Sequence, residues 1–145
     1  MDRIDHEILR HLTRDGRLTF RELGEAVHLS ANAVAERFRR LQESGTIRHI
    51  RAVLDPQAMG RSLEAQIEIK LSAQTSALEF ENALRHMPQV MEAALMTGSF
   101  DYAIRVACEN SHELMQVTEA LRKHPGVSDT YTRLVLREIE LSGMV

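Results

Sequence analysis

Five arginines and two glutamates fall within residues 29–51, "LSANAVAERFRRLQESGTIRHIR". A guanidinium presents a planar fork of donors that matches phosphate oxygens and the O6/N7 edge of guanine, and an asparagine carboxamide matches adenine. Drawn as a helix, the stretch sorts its residues by chemistry. Val34, Phe38 and Leu41 share one face and should be packed. Asn32, Glu36 and Arg39 share the opposite face, with Ala33 and Arg40 on a flank. Small residues near the start, Ser30 and Ala33, would let the helix approach a duplex closely. Arg37 lies at the edge of the packed face and suits either a phosphate or a packing contact. Glu36 would accept from cytosine or orient a neighbouring arginine. Arg48 and Arg51 lie beyond the helix, where phosphate contact is expected rather than base reading. A solvated surface face is the competing account of such a helix, so the surrounding elements decide.

Those elements are legible. Ile4, Ile8, Leu9 and Leu12 keep helical spacing and predict a first helix from about Asp2 to Thr13. "RDGR" (14–17) is a turn in which Gly16 is free to take positive φ. Thr19 and Glu22 have capping-box spacing and open a second helix, with Leu23, Ala26 and Val27 as its short apolar face. Ser30 is a good N-cap for a third helix to about Ser44, and Gly45 a good stop. "TIRHIRAVL" (46–54) alternates and is β-branched, so it reads as strand or hairpin. Short helix, tight turn, arginine helix and hairpin together make a winged helix-turn-helix, whose second paired helix enters the major groove of double-stranded DNA.

The net charge of −3 hides this because charge is segregated. Residues 1–61 carry 11 Arg against 9 Asp and Glu, and residues 62–145 carry 7 Lys and Arg against 12 Asp and Glu. A locally basic surface on an acidic chain is compatible with DNA binding. Cys108 is the one cysteine, which excludes an internal disulfide and suits a reducing cytoplasm. The first residues are acidic and periodic, unlike a signal peptide, and no apolar run approaches membrane-spanning length. A cytoplasmic protein with no membrane association is expected.

"LDPQAMGRS" (54–62) breaks all periodicity and reads as a linker between residues 1–53 and 63–145. "LEAQIEIKL" (63–71) then alternates as a strand, with Leu63, Ala65, Ile67, Ile69 and Leu71 on one face. "SALEFENALRHM" and "SHELMQVTEALRKH" are amphipathic helices, each stopped before a proline. "VMEAALMTG" and "FDYAIRVACE" are strands around Gly98, and "VSDTYTRLVLREIEL" is a last strand. "ALRHMPQV" (83–90) echoes "ALRKHPGV" (120–127), each marking a helix that enters a strand. The order is β-α-β twice, a ferredoxin-like βαββαβ fold, and the class is α+β. Such a sheet bears helices on one face, and covering the other by a second copy is the natural solution.

Taken together, "IDHEILRHLTRDGRLTFRELGEAVHLS", "ERFRRLQESGTIRHIRAVLDPQAMG", "TGSFDYAIRV" and "HPGVSDTYTRLVL" resemble the leucine-responsive regulator/asparagine regulator (Lrp/AsnC) family of transcription factors. The resemblance covers nearly the whole chain. It implies a DNA-binding domain joined to an effector domain, and dimers that associate further, usually to octamers. It also implies an amino-acid effector held by the glycine–aspartate turn and the last strand. Here those positions are Met96, Thr97, Gly98 and Asp101, with Thr130, Thr132 and Leu134. A carboxylate for an ammonium and backbone N–H groups for a carboxylate are what a free amino acid needs. A plain β-turn whose aspartate caps backbone is the alternative reading of "GSFD". Tyr131 and Arg133 alternate with the threonines and would face another subunit.

Two other functions fit parts of the sequence. An effector-independent, DNA-organising protein of the same fold shares every feature above. A small dimeric enzyme has less support, because no phosphate-binding glycine motif and no nucleophile–base set stands at a telling spacing. Cys108 alternates with Ile104 and Val106 and reads as core. His6 and His11 miss the i,i+4 spacing of a helical metal pair, and the other histidines are scattered. No metal or cofactor is expected.

Overall fold

The computed structural model describes residues 1–139, which fall into two units, Met1–Val53 and Leu54–Ile139. The first unit holds α1 (Arg3–Arg14), α2 (Phe20–Val27) and α3 (Ala31–Glu43). Their starts follow from side-chain caps on otherwise orphaned N–H groups. The expected capping box forms at Thr19 and Glu22. A second one, Asp2 with Asp5, opens α1. Ser30 caps α3 by accepting from Ala33 N–H at 3.2 Å. Gly45, at φ +73°, follows the end of α3, as an αL-tolerant residue should. Ile8, Leu23, Val27 and Val34 form the core of this unit, with Ile4, Leu12, Leu18 and Leu29 packed around it. Ala26, assigned to the apolar face of α2, is exposed, because only Leu23, Gly24 and Val27 point inward.

One expectation fails in this unit. The hairpin over Thr46–Leu54 does not form. A strand exists only where a second strand takes its N–H and C=O groups, and among the described residues all sheet pairing lies in the second unit. Instead Ile47 N–H bonds to Leu41 C=O at 2.9 Å, and the chain runs on with Ile50 and Val53 exposed. Gly16 does not use its freedom to take positive φ. Its value is space, since a Cβ there would stand 3.2 Å from Ile50 Cγ2.

The second unit runs β1 (Leu63–Leu71), α4 (Ala77–Leu84), β2 (Val90–Leu95), β3 (Tyr102–Cys108), α5 (Ser111–Lys123) and β4 (Val127–Leu134). The sheet order is β2-β3-β1-β4, with every pair antiparallel. The alternation of β1 places Ala65, Ile67 and Ile69 against the helices, where they join Phe80, Leu84, Tyr102, Ile104, Val106, Cys108, Val117 and Leu121. Glu64, Gln66, Glu68 and Lys70 lie on the helix-free face with Ala103, Arg105, Tyr131 and Arg133. Helix α4 ends at Leu84, earlier than its echo in α5, because Arg85–Met87 tighten into turns, with His86 and Met87 N–H bonded three residues back. The last strand ends at Leu134 rather than continuing to Leu141. Val135 N–H still reaches Glu64 C=O, while 136–139 form no strand and 140–141 lie outside the described residues.

Candidate functional site

Two groups of residues have functional chemistry, one in each unit. The first is the outward face of α3. It is presented by the turn from α2, where His28 takes the left-handed conformation at φ +57° and Leu29 N–H bonds to Gly24 C=O at 2.9 Å. Gly24 is buried, and a Cβ there would stand 2.5 Å from Leu29 C=O, so only glycine lets the turn close this tightly. Behind α3, Val34 and Leu41 are buried and Phe38 stacks on Phe20 at 5.3 Å between ring centroids. In front, Ser30, Asn32, Glu36, Arg39 and Arg40 are exposed and Ala33 is half-buried.

The arginines of α3 are not equivalent. Arg37 turns inward, its Nη1 lying 2.7 Å from both Asp2 and Asp5 of α1. That geometry favours the packing role over a phosphate contact. The backbone N–H of Asp5 and then the Arg37 guanidinium hold the Asp2 carboxyl below its ordinary value. Burial pushes Asp5 up, but the Asp2 N–H and Arg37 outweigh it and the net direction is down. Arg39 faces outward and is held by Glu36, at 2.7 Å and 3.2 Å, and by Glu43 at 2.5 Å. Glu36 therefore orients its neighbour. Arg48 and Arg51 line a hollow of about 680 Å³ with Arg14, His49 and Ile50, between α1 and the extended arm. Neither Arg48 nor Arg51 has a carboxylate partner among the described residues.

The second group surrounds the β2–β3 turn. Gly98 has φ +113°, a conformation other residues rarely adopt. Met96 and Thr97 line a hollow of about 320 Å³ on the helix-free side with Glu68, Ser99, Phe100, Tyr102 and Ala103. Asp101 Oδ2 accepts from Leu71 N–H at 2.7 Å and stands 3.9 Å from Lys70 Nζ. Its backbone is tied as well, N–H to Ile69 C=O and C=O to Met96 N–H. The aspartate thus caps backbone across strands rather than within its own turn.

The β4 residues stand elsewhere. Thr130, Thr132 and Leu134 pair with Ile69, Ile67 and Ala65 and so face the helices. Thr130 Oγ1 accepts from Arg122 Nε at 3.0 Å. Thr132 Oγ1 is buried without a partner among the described residues. Strand β1 separates this set from the turn, so one chain does not gather the seven residues into a single cavity. An aromatic contact does link the turn to β4 on the helix-free face: Phe100 lies 6.4 Å from Tyr131, with Arg133 5.8 Å over the Tyr131 ring. Sequence reasoning passed over Phe100, Glu68 and Tyr102 as lining residues. Phe100 sits inside the quoted "GSFD" and offered a signal; Glu68 carried none beyond its face of β1. Tyr102 is buried beside Phe80 and donates to Glu81 at 2.8 Å. Burial first, then that carboxylate, pushes its hydroxyl up to about 12. A further hollow of about 400 Å³ lies between α4 and β2, lined by Glu81 and Tyr102 among others and by none of the expected DNA or effector residues.

The arrangement resembles known proteins along most of its length. A family model described as the AsnC-type helix-turn-helix domain matches residues 1–42, and one described as the Lrp/AsnC ligand binding domain matches residues 64–145. The HTH-type transcriptional regulator FL11 of Pyrococcus horikoshii is 34% identical over 137 residues, covering 94% of this chain and 90% of that protein. The leucine-responsive regulatory protein of Escherichia coli K12 is 34% identical over 145 residues, covering 98% and 88%. The crystal structure of a Neisseria meningitidis transcriptional regulator in complex with L-Met superposes with a TM-score of 0.90 at 31% identity, covering 97% and 93%.

Proposed function

The chain belongs to the Lrp/AsnC family of transcriptional regulators, and from that premise we propose that it binds specific double-stranded DNA through α3 under the control of an amino-acid effector. A helix-turn-helix domain and a ligand-binding domain are the coarse organisation; the named contacts are our reading. The outward face of α3 carries it, with Asn32, Arg39 and Arg40 exposed on a helix whose back is packed. Arg39 and Asn32 read base edges, and Ser30, Ala33, Arg40, Arg48 and Arg51 approach the backbone. Arg37 contributes by holding α3 to α1.

The effector reading rests on the β2–β3 turn and on β4. Met96, Thr97, Gly98 and Asp101 frame one part of the site, and Thr130, Thr132 and Leu134 the other. The orphaned Thr132 hydroxyl supports a ligand or partner there, since a buried polar atom is rarely left unpaired. A homodimer that assembles further supplies the neighbouring copy such a divided site requires. The helix-free face suits self-association. Its charges pair internally, Arg105 with Glu64 at 2.7 Å and Arg133 with Glu68 at 3.2 Å, leaving a near-neutral surface with small residues between. An effector-independent DNA-organising role is the second reading, favoured by the use of Asp101 as a backbone cap.

A thermal-shift screen against the twenty amino acids tests the effector, because a ligand that binds only the folded state raises Tm once it exceeds its Kd. A hit followed by altered DNA affinity supports the regulator. Twenty blanks support the effector-independent reading. For the DNA contact, Arg39→Ala is expected to weaken specific binding about tenfold or more and relax base preference. Equal losses on specific and random duplexes in a titration assign Arg39 to phosphate instead.

A further inference from the structure

Helix α3 carries three arginines, yet its exposed surface has no net charge. Arg37 is withdrawn to Asp2 and Asp5. Arg39 and Arg40 remain, against Glu36 and Glu43 on the same surface. The Arg39 guanidinium is engaged on all three nitrogens: Nε and Nη2 on Glu36, Nη1 on Glu43. Arg40 Nε stands 4.0 Å from the same Glu36 oxygen. The helix expected to enter the groove therefore pulls little on phosphate by charge alone. Unpaired arginines lie elsewhere: Arg10, Arg14, Arg17, Arg48 and Arg51 have no carboxylate within salt-bridge distance among the described residues.

Resting on the DNA reading above, we propose that Glu36 and Glu43 form a clamp that sets the specificity of α3. It holds the Arg39 fork in one orientation for a base edge. It also cancels the charge that would otherwise draw the helix onto any backbone. Non-specific affinity is mostly counterion release, roughly one ion for each phosphate neutralised. A clamped arginine releases none. A correct base edge offers Arg39 a bidentate partner that competes with the glutamates; a phosphate reached at a wrong site must do so against two carboxylates. The glutamates thus penalise non-specific binding more than specific binding.

The test uses the full chain and a random-sequence duplex, followed by fluorescence anisotropy across a salt series. Glu36→Gln with Glu43→Gln keeps side-chain shape and removes both charges. Glu25→Gln on α2, where Glu25 pairs with Arg21, is the control for charge alone. The double variant is expected to bind the random duplex about tenfold more tightly at low salt and to steepen the log–log salt slope by about one. The Glu25 variant should shift affinity far less and leave the slope unchanged. Equal affinity and slope for the double variant and the unsubstituted chain overturn the proposal while leaving DNA binding in place. A matching gain in the Glu25 variant also overturns it, because bulk charge then explains the effect. Failure of every form to bind any duplex removes the DNA reading and the proposal with it. Circular dichroism checks that α3 is intact in each.

Discussion

Arg37 illustrates how a side chain's task depends on its partners. Its side chain is four-fifths buried and its guanidinium bridges the N-terminal box of α1, with the Asp5 side chain also largely buried. Arg37→Met is expected to cost about 1–2 kcal/mol, read as an earlier denaturant midpoint of the helix-turn-helix unit. The acid response follows from the same carboxyls. Asp2 and Asp5 titrate below their ordinary 3.8 when folded, so their contribution is complete above that value and is lost as pH falls through the lower folded values. The unsubstituted unit should therefore lose stability below about pH 4, and the Arg37 variant should lose less there. Asp101 poses a different question, because it serves a backbone N–H and is also the candidate ammonium acceptor. Asp101→Ala leaves Leu71 N–H unpaired and should lower stability by about 1–2 kcal/mol. Asp101→Asn keeps an acceptor for that N–H while removing the charge, so it should retain the melting temperature and lose amino-acid binding by calorimetry. Full binding by Asp101→Asn moves the ammonium site elsewhere.

Helices and strands show which local signals survive packing. Caps held well: Thr19, Ser30 and Gly45 each stand where the spacing put them. Gly24 carried no such signal, since the reason for it is the approach of the Leu29 carbonyl after the α2–α3 turn has closed. Gly24→Ala should cost about 1–3 kcal/mol, because backbone rather than a flexible side chain must move. Loss of DNA affinity should accompany it, since the turn sets the angle of α3. A variant with unchanged melting and affinity shows instead that the turn can relax. The arm after α3 taught the converse. Its β-branched alternation is real, but alternation describes a strand's side chains and cannot supply the strand beside it.

For the molecule as a whole, two units divide the work. The first unit has the arginine surface, and the second has a sheet with one face under helices and one without. Ala103 sits on that helix-free face, between Glu68 of β1 and Ala94 of β2. Ala103→Glu adds a carboxylate where a second copy would pack, without entering the helix-side core. If the proposed self-association uses this face, light scattering should show a lower mass for the variant than for the unsubstituted chain, while circular dichroism stays unchanged. An unchanged mass removes this face as the site of self-association. No helix among the described residues is long and apolar enough to cross a membrane.

Nearly all of the architecture was readable beforehand, and for a local reason. Capping boxes, helical spacing and the strict alternation of 63–71 act over a few residues, so Thr19, Ser30 and Ile67 carry their structural roles in their immediate neighbours. The echo of 83–90 in 120–127 extended that reading to the twice-repeated β-α-β succession of the second unit. The outward face of α3 was legible for the same reason, as a helix repeats regularly. Contacts between distant residues were not. Nothing near Arg37 announces Asp2 and Asp5, more than thirty positions away. Nothing in "GSFD" announces that its aspartate caps Leu71, or that β1 keeps the turn apart from Thr130 and Thr132. Those pairings depend on register and chain closure, which long-range packing selects, so the site's chemistry could be named from the residues but its partners appeared only once the chain was folded.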